Sequence, residues 1–125
     1  MTQNILSIHH SSVIVKDTQE SLKFYCGVLG LNQLERPDFP YKGAWLEVGN
    51  QQVHLLELDN PDATTGRPAH GGKDRHIAFY VLELDLIKAS LDKAEVNYTV
   101  SASGRRALFC RDLDGNALEF IEKPE

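Results

Sequence analysis

The 125-residue chain predicts an α+β fold built as a tandem duplication. Three observations carry that expectation. One element order, strand then helix then hairpin, can be followed twice, on either side of a Gly/Pro-rich stretch. An acidic residue suited to a helix start stands seven positions after a histidine in both passes: Asp17 after His10, Glu83 after His76. Four metal-type side chains also recur at nearly equal spacing, with His10 to His54 spanning 44 positions and His76 to Glu119 spanning 43. Four such groups placed two by two converge only if the two halves pack face to face.

Ile8 to Val15 (IHHSSVIV) is short and β-branched, a strand. Asp17 with Glu20 three residues later has capping-box spacing. The helix that follows carries Leu22, Tyr25, Val28 and Leu29 on one side and is expected to end at Gly30. A polar loop containing Pro37 and Pro40 leads to the strand Gly43 to Val48. Gly49-Asn50 is a turn, and Gln52 to Leu58 is the returning strand. From about 59 to 73 the chain holds Pro61, Gly66, Pro68, Gly71 and Gly72 without periodicity, and is expected to link the halves. The second pass predicts a strand Arg75 to Val81, a helix Leu84 to Ala94, and a hairpin of Ala107 to Arg111 and Ala117 to Glu122 around Asp114-Gly115-Asn116. Each half has room for one more short strand. The expected organisation is one domain over 1–125, with a first module at about 5–58 and a second at about 74–123.

Strand parity says where the four residues point, since alternate side chains face opposite ways. Ile77, Phe79 and Val81 make a face for a helix to cover, which leaves His76, Ala78 and Tyr80 on the other. Leu118 and Phe120 oppose Glu119, and Val53 and Leu55 flank His54. In the first strand Val13 and Val15 make the better covered face. His10, rather than His9, is therefore placed with the other three.

Composition narrows the function classes. At 42% hydrophobic and 25% charged the chain is ordinary globular. A formal charge of −5 leaves no cationic excess for nucleic acid. No apolar run is long enough to span a bilayer, and no signal peptide is visible at Met1 to Leu6. Cys26 and Cys110 are expected as reduced thiols of a cytoplasmic protein.

Three imidazoles and a carboxylate suit one divalent transition metal (Zn, Ni, Co, Fe or Mn) better than Mg²⁺ or Ca²⁺, which favour all-oxygen shells. Such an ion keeps positions open for two adjacent substrate oxygens. Taken singly, a strand histidine is more often structural than a ligand, and Glu119 in a terminal strand would pass for a solvated face. Matched spacing and matched parity favour a site. Glu119 and His54 are the candidate proton carriers. Trp45 and Tyr80 are candidates to line a substrate pocket. Arg36, Arg105 and Arg106 are candidates for an anionic substrate group, the last two beside the flexible Ser101 to Gly104. His70, in the linker, is expected to be solvent-exposed, and Glu47 and Glu57 to be surface residues.

The segment HHSSVIVKDTQESLKFYCGVLGL, then RHIAFYV, then RDLDGNALEFIE resemble the vicinal oxygen chelate superfamily. This is the glyoxalase, bleomycin resistance protein and extradiol dioxygenase family, and the resemblance covers essentially the whole chain. It implies two βαβββ modules in tandem, their curved sheets enclosing a metal-binding cleft. His10, His76 and Glu119 match the family's ligand positions. His54 stands where glyoxalase I enzymes carry Glu and epimerases Gln, which changes both charge and basicity at that position. The resemblance further implies a small-molecule substrate and a homodimer, in which modules of two chains can share a site. The function expected is a metal-dependent enzyme of lyase, isomerase or dioxygenase type. Its alternative is a metal-free binding or sequestering protein of the bleomycin resistance type.

Overall fold

The computed structural model describes residues 3–101 and 103–124. Ala102, within the segment expected to be flexible before the arginine pair, lies outside them. The first module runs β1 (His10–Val15), α1 (Thr18–Leu22), β2 (Asn32–Leu34), β3 (Gly43–Val48) and β4 (Gln51–Glu57). The second runs β5 (His76–Val81), α2 (Leu84–Lys93), β6 (Tyr98–Val100), β7 (Ala107–Arg111) and β8 (Ala117–Glu122). Each is the βαβββ unit that the resemblance implies. α1 continues as a wider π-helical turn over Lys23–Val28, and Gly30 ends it with φ of 81°. The one extra strand in each half is only three residues long, too short to show periodicity in sequence.

The duplication holds at the level of register. The sheets order as β1-β4-β3-β2 and β5-β8-β7-β6, with β1/β4 and β5/β8 parallel and the other pairings antiparallel. Ser12 stands opposite His54, and Ala78 opposite Glu119. Trp45 is the other neighbour of His54, and Phe109 of Glu119. His54 and Glu119 are thus the same position of one repeated unit.

The helix starts repeat as well, by a different device in each module. Asp17 Oδ1 accepts the Glu20 N–H at 3.1 Å, as its spacing predicts. Glu83 makes no such bond. In both modules, however, the last strand supplies a glutamate to the helix: Glu57 Oε1 accepts the Thr18 N–H at 2.8 Å, and Glu122 Oε1 the Leu84 N–H at 3.0 Å. Glu57, expected as a surface residue, is a helix cap.

Burial follows parity. Val15, Tyr25, Leu46, Leu55, Leu84, Leu91, Leu108 and Leu118 are fully buried between helices and sheets. Among the described residues the opposite face of the first sheet carries no helix, whereas on that of the second a single 3-10 turn, Gly71–Lys73, sits against Phe109 and Ala117. Gly43, at the start of β3, is held to glycine by contact: a Cβ there would overlap the Leu55 carbonyl oxygen and lie 3.2 Å from Arg36 Nη2. Gly43→Ala should therefore cost about 2–3 kcal/mol, measurable as a lowered denaturant midpoint with an unchanged slope.

The halves meet edge to edge, which corrects the expectation that they pack face to face within one chain. β1 and β5 are edge strands, and Ser12, Val13, His76 and Ile77 line a groove of about 210 Å³ between them. Among the described residues three hydrogen bonds join the modules: Tyr25 Oη to Asp112 Oδ2 at 2.6 Å, Lys16 N–H to Asp114 Oδ1 at 2.9 Å, and Asn116 Nδ2 to the Ile14 carbonyl at 3.1 Å. The connection between modules is pinned by Asp74. Arg67 donates to it through Nε and Nη2 (2.7 and 2.8 Å) and Arg111 through Nη1 (2.8 Å). The two guanidinium groups hold its carboxyl well below the usual carboxylate range.

Candidate metal centre

On the open face of the first sheet, rings stand in a row. Trp45 stacks on His54 (centroids 4.3 Å apart, planes 3° apart), and His54 on His10 (3.9 Å, 15°). The row is a direct consequence of register, because β3, β4 and β1 are neighbours and the three residues share one face. Gln52, two residues before His54 and so on its face, places Oε1 2.8 Å from His54 Nε2. His54 is 5% exposed. Burial, followed by electrostatic coupling to His10, His9 and Arg36, lowers its pKa to about 4, so the ring is neutral at pH 7 with a lone pair to offer.

That shift has a signed consequence for stability. Unfolded, the imidazole takes a proton near pH 6.5, whereas folded it resists protonation until about pH 4. The contribution is therefore fully present above pH 6.5 and is lost as pH falls toward 4. Metal-stripped protein should lose on the order of 2 kcal/mol across that window, and His54→Phe should flatten the loss in a pH series of denaturant melts.

In the second module the equivalent pair is in direct contact. His76 Nδ1 lies 2.8 Å from the Asp74 carbonyl oxygen and donates to it. Its Nε2 lone pair then faces Glu119 Oε1 at 3.2 Å. Two acceptors at that spacing repel unless a proton or a cation lies between them. Adjacent ligands about 2.1 Å from a common ion stand roughly 3–3.4 Å apart, so the spacing suits a shared ion. The Asp74 carbonyl orients His76 in the way that outer partners orient metal-binding histidines. Glu119 is 4% exposed, and Arg105 Nη2 donates to its Oε2 at 2.6 Å.

The structure thus brings the four expected residues together as two pairs, not as a quartet. Among the described residues no three His, Cys, Asp or Glu side chains gather where one ion would reach them. The donor types fit a transition ion, while a full set requires both pairs.

Of the flanking candidates, Trp45 is in the ring row, and Tyr80 shares the face of His76 with its side chain largely exposed. Arg105 and Arg106 diverge. Arg106 turns to Glu122 (3.0 Å) and Asp85 (3.3 Å) at the start of α2, away from Glu119, so its expected role in the substrate pocket is not supported. His9 is not remote from the site, since its Nδ1 lies 2.8 Å from His10 Nδ1. His70 is not the exposed linker residue expected. Its ring lies 4.8 Å from Phe109, its Nδ1 accepts the Gly72 N–H at 3.0 Å, and its Nε2 is buried without a partner. Gln52 was accessible from parity alone; the inward turn of His70 had no signal in sequence.

Comparison with known proteins agrees with this architecture. A family model described as Glyoxalase/Bleomycin resistance protein/Dioxygenase superfamily matches residues 7–120. The chain is 30% identical over 122 residues to Glyoxylase I 4 of Arabidopsis thaliana, covering 93% of this chain and 70% of that protein. It is 29% identical over 125 residues to YwkD of Bacillus subtilis, covering 94% and 97%. A crystal structure of a glyoxalase family protein from Bacillus anthracis superposes with a TM-score of 0.82 at 26% identity, covering 99% of this chain and 100% of that one. With two βαβββ modules in matched register and a family match over nearly its full length, this chain belongs to the Glyoxalase/Bleomycin resistance protein/Dioxygenase superfamily.

Proposed function

We propose that this protein is a metal-dependent vicinal oxygen chelate enzyme acting on a small oxygenated molecule. The observation that carries the reading is the matched register of two donor pairs, His10/His54 and His76/Glu119, on the sheet faces turned away from α1 and α2. Because the modules meet by their edges, one pair reaches the other most simply across two copies of the chain. The proposed site takes His10 and His54 from one protomer, and His76 and Glu119 from its partner, in a two-fold dimer.

A divalent ion held by these residues would supply Lewis acidity to the substrate and stabilise negative charge developing on its oxygens. The residues of the chain supply the rest. The Trp45 and His10 rings on either side of His54 fix its plane, and Gln52 fixes its Nε2. His54, neutral at pH 7 and with Nε2 turned to Gln52, keeps its one lone pair on Nδ1 for the ion. Glu119 combines a ligand oxygen with a second oxygen held by Arg105, and is the group able to take or return a proton. Tyr80 and Arg105 line the approach.

The test is calorimetric titration of metal-stripped protein with Zn²⁺, Ni²⁺, Fe²⁺ and Mn²⁺, followed by turnover assays of the loaded protein on hemithioacetals, catechols and epoxides. Saturable binding near one ion per chain, with turnover of one substrate class, is the expected result. Absence of binding by every ion overturns the metalloenzyme reading in favour of a sequestering protein.

A further inference from the structure

The chain has six arginines, and five of them meet a carboxylate: Arg67 and Arg111 at Asp74, Arg75 at Asp62, Arg105 at Glu119, and Arg106 at Glu122 and Asp85. Among the described residues Arg36 meets none. Its Nη2 donates to the Tyr41 carbonyl at 3.0 Å, and its Nε is buried without a partner among the described residues. The guanidinium carbon lies 4.8 Å from the Phe39 ring centre and 5.1 Å from that of Tyr41. Phe39 in turn lies 6.2 Å from Trp45, the ring that stacks on His54. The row of rings that begins at His10 therefore ends in an unpaired cation. A groove of about 740 Å³ opens beside it, lined by Arg36, Phe39, Tyr41 and Lys42.

Two of the acidic side chains in that groove are already committed, Asp17 to the Glu20 N–H and Glu57 to the Thr18 N–H. Asp38 also lines it and makes no ion pair with Arg36. A loop clamp accounts for the ring contacts and the bond to Tyr41. It does not account for a permanent charge, partly buried and left without a counter-ion, where burial makes an unpaired charge costly. A planar two-oxygen anion is the natural complement of a guanidinium.

We infer that Arg36 receives a carboxylate carried by the substrate, with the organic body of the molecule lying along Phe39 and Trp45 toward His54. This rests on the proposed reading of the open sheet face as the substrate cleft, and it names the substrate class as a small carboxylic acid. Arg36 is a specificity-determining residue, distant from the reacting oxygens.

Trp45 is the only tryptophan in the chain, so its fluorescence reports on this face without labelling. Metal-stripped protein is titrated with benzoate and, separately, with neutral benzamide of the same shape. Benzoate should change Trp45 emission saturably and benzamide at least tenfold more weakly. Arg36→Gln should weaken benzoate at least tenfold and leave benzamide unchanged, while Arg36→Lys should recover part of the loss. Equal binding of benzoate and benzamide by the native protein, or no response to either, overturns the inference without any variant. Unchanged benzoate affinity in folded Arg36→Gln overturns it as well. Metal titrations of the same samples keep the two ideas apart, since charge-selective benzoate binding without metal binding sinks only the metalloenzyme reading.

Discussion

Replacing His76 with alanine should lower affinity for a divalent transition ion by roughly two to three orders of magnitude, about 3–4 kcal/mol. The size follows from geometry. His76 Nε2 faces Glu119 Oε1 at 3.2 Å, and the Asp74 carbonyl has already fixed the ring. The affinity lost is then that of an oriented ligand, not of one ordered on binding. Glu119→Gln should cause a comparable loss while keeping the shape of the site. Tyr80→Phe, on the same face but without a ligand atom at stake, should leave metal affinity within twofold. Calorimetric titration of the three variants checks this. Equal affinity in native protein and His76→Ala would mean that any ion binds elsewhere.

Removal of the Asp112 carboxylate should strongly destabilise the fold. It is buried, and it accepts four hydrogen bonds: from Tyr25 Oη (2.6 Å), from the Asp114 and Asn116 N–H groups (2.9 Å each), and from Asn116 Nδ2 (2.9 Å). One side chain thereby shapes the β7–β8 turn and ties it to the helix of the other module. Asp112→Ala leaves the fully buried Tyr25 hydroxyl unpaired and should cost about 3–5 kcal/mol, a fall in Tm of roughly 10–20 °C. Tyr25→Phe removes one bond and leaves the turn intact, so about 1–2 kcal/mol is expected. A loss below about 1 kcal/mol for Asp112→Ala would contradict this role.

Much of the architecture was legible because local and long-range signals agreed. β1, β3, β4, β5, β7 and β8 carry alternating or apolar runs bounded by turn residues, and those runs place His54 and Glu119 opposite buried faces. The one further short strand allowed in each half, β2 and β6, could not be located because three residues hold no period, and each adds to a neighbouring strand. The shared face within each candidate pair was legible by parity, which fixes the face of a side chain but not the relation between two sheets. That relation depends on Asp112, Asp114 and Asn116. These residues appear in sequence as a turn, and their module-joining bonds reach back across the chain to Tyr25, Lys16 and Ile14. Arginine roles were the least accessible. Arg105 and Arg106 are adjacent and chemically identical, yet one holds Glu119 and the other a helix start.

The central claim is that the two donor pairs make one metal site across two copies of the chain. Mixing two inactivated variants tests it most directly. His10→Ala/His54→Ala lacks one pair, and His76→Ala/Glu119→Gln lacks the other. Each alone, refolded and dialysed against Zn²⁺ or Ni²⁺, should hold no metal by elemental analysis, against about one ion per chain in native protein. Refolded together, half of the dimers pair unlike chains and regain one intact site, giving about one ion per four chains. A mixture as empty as its components, beside native protein carrying its full complement, would contradict a site shared between copies.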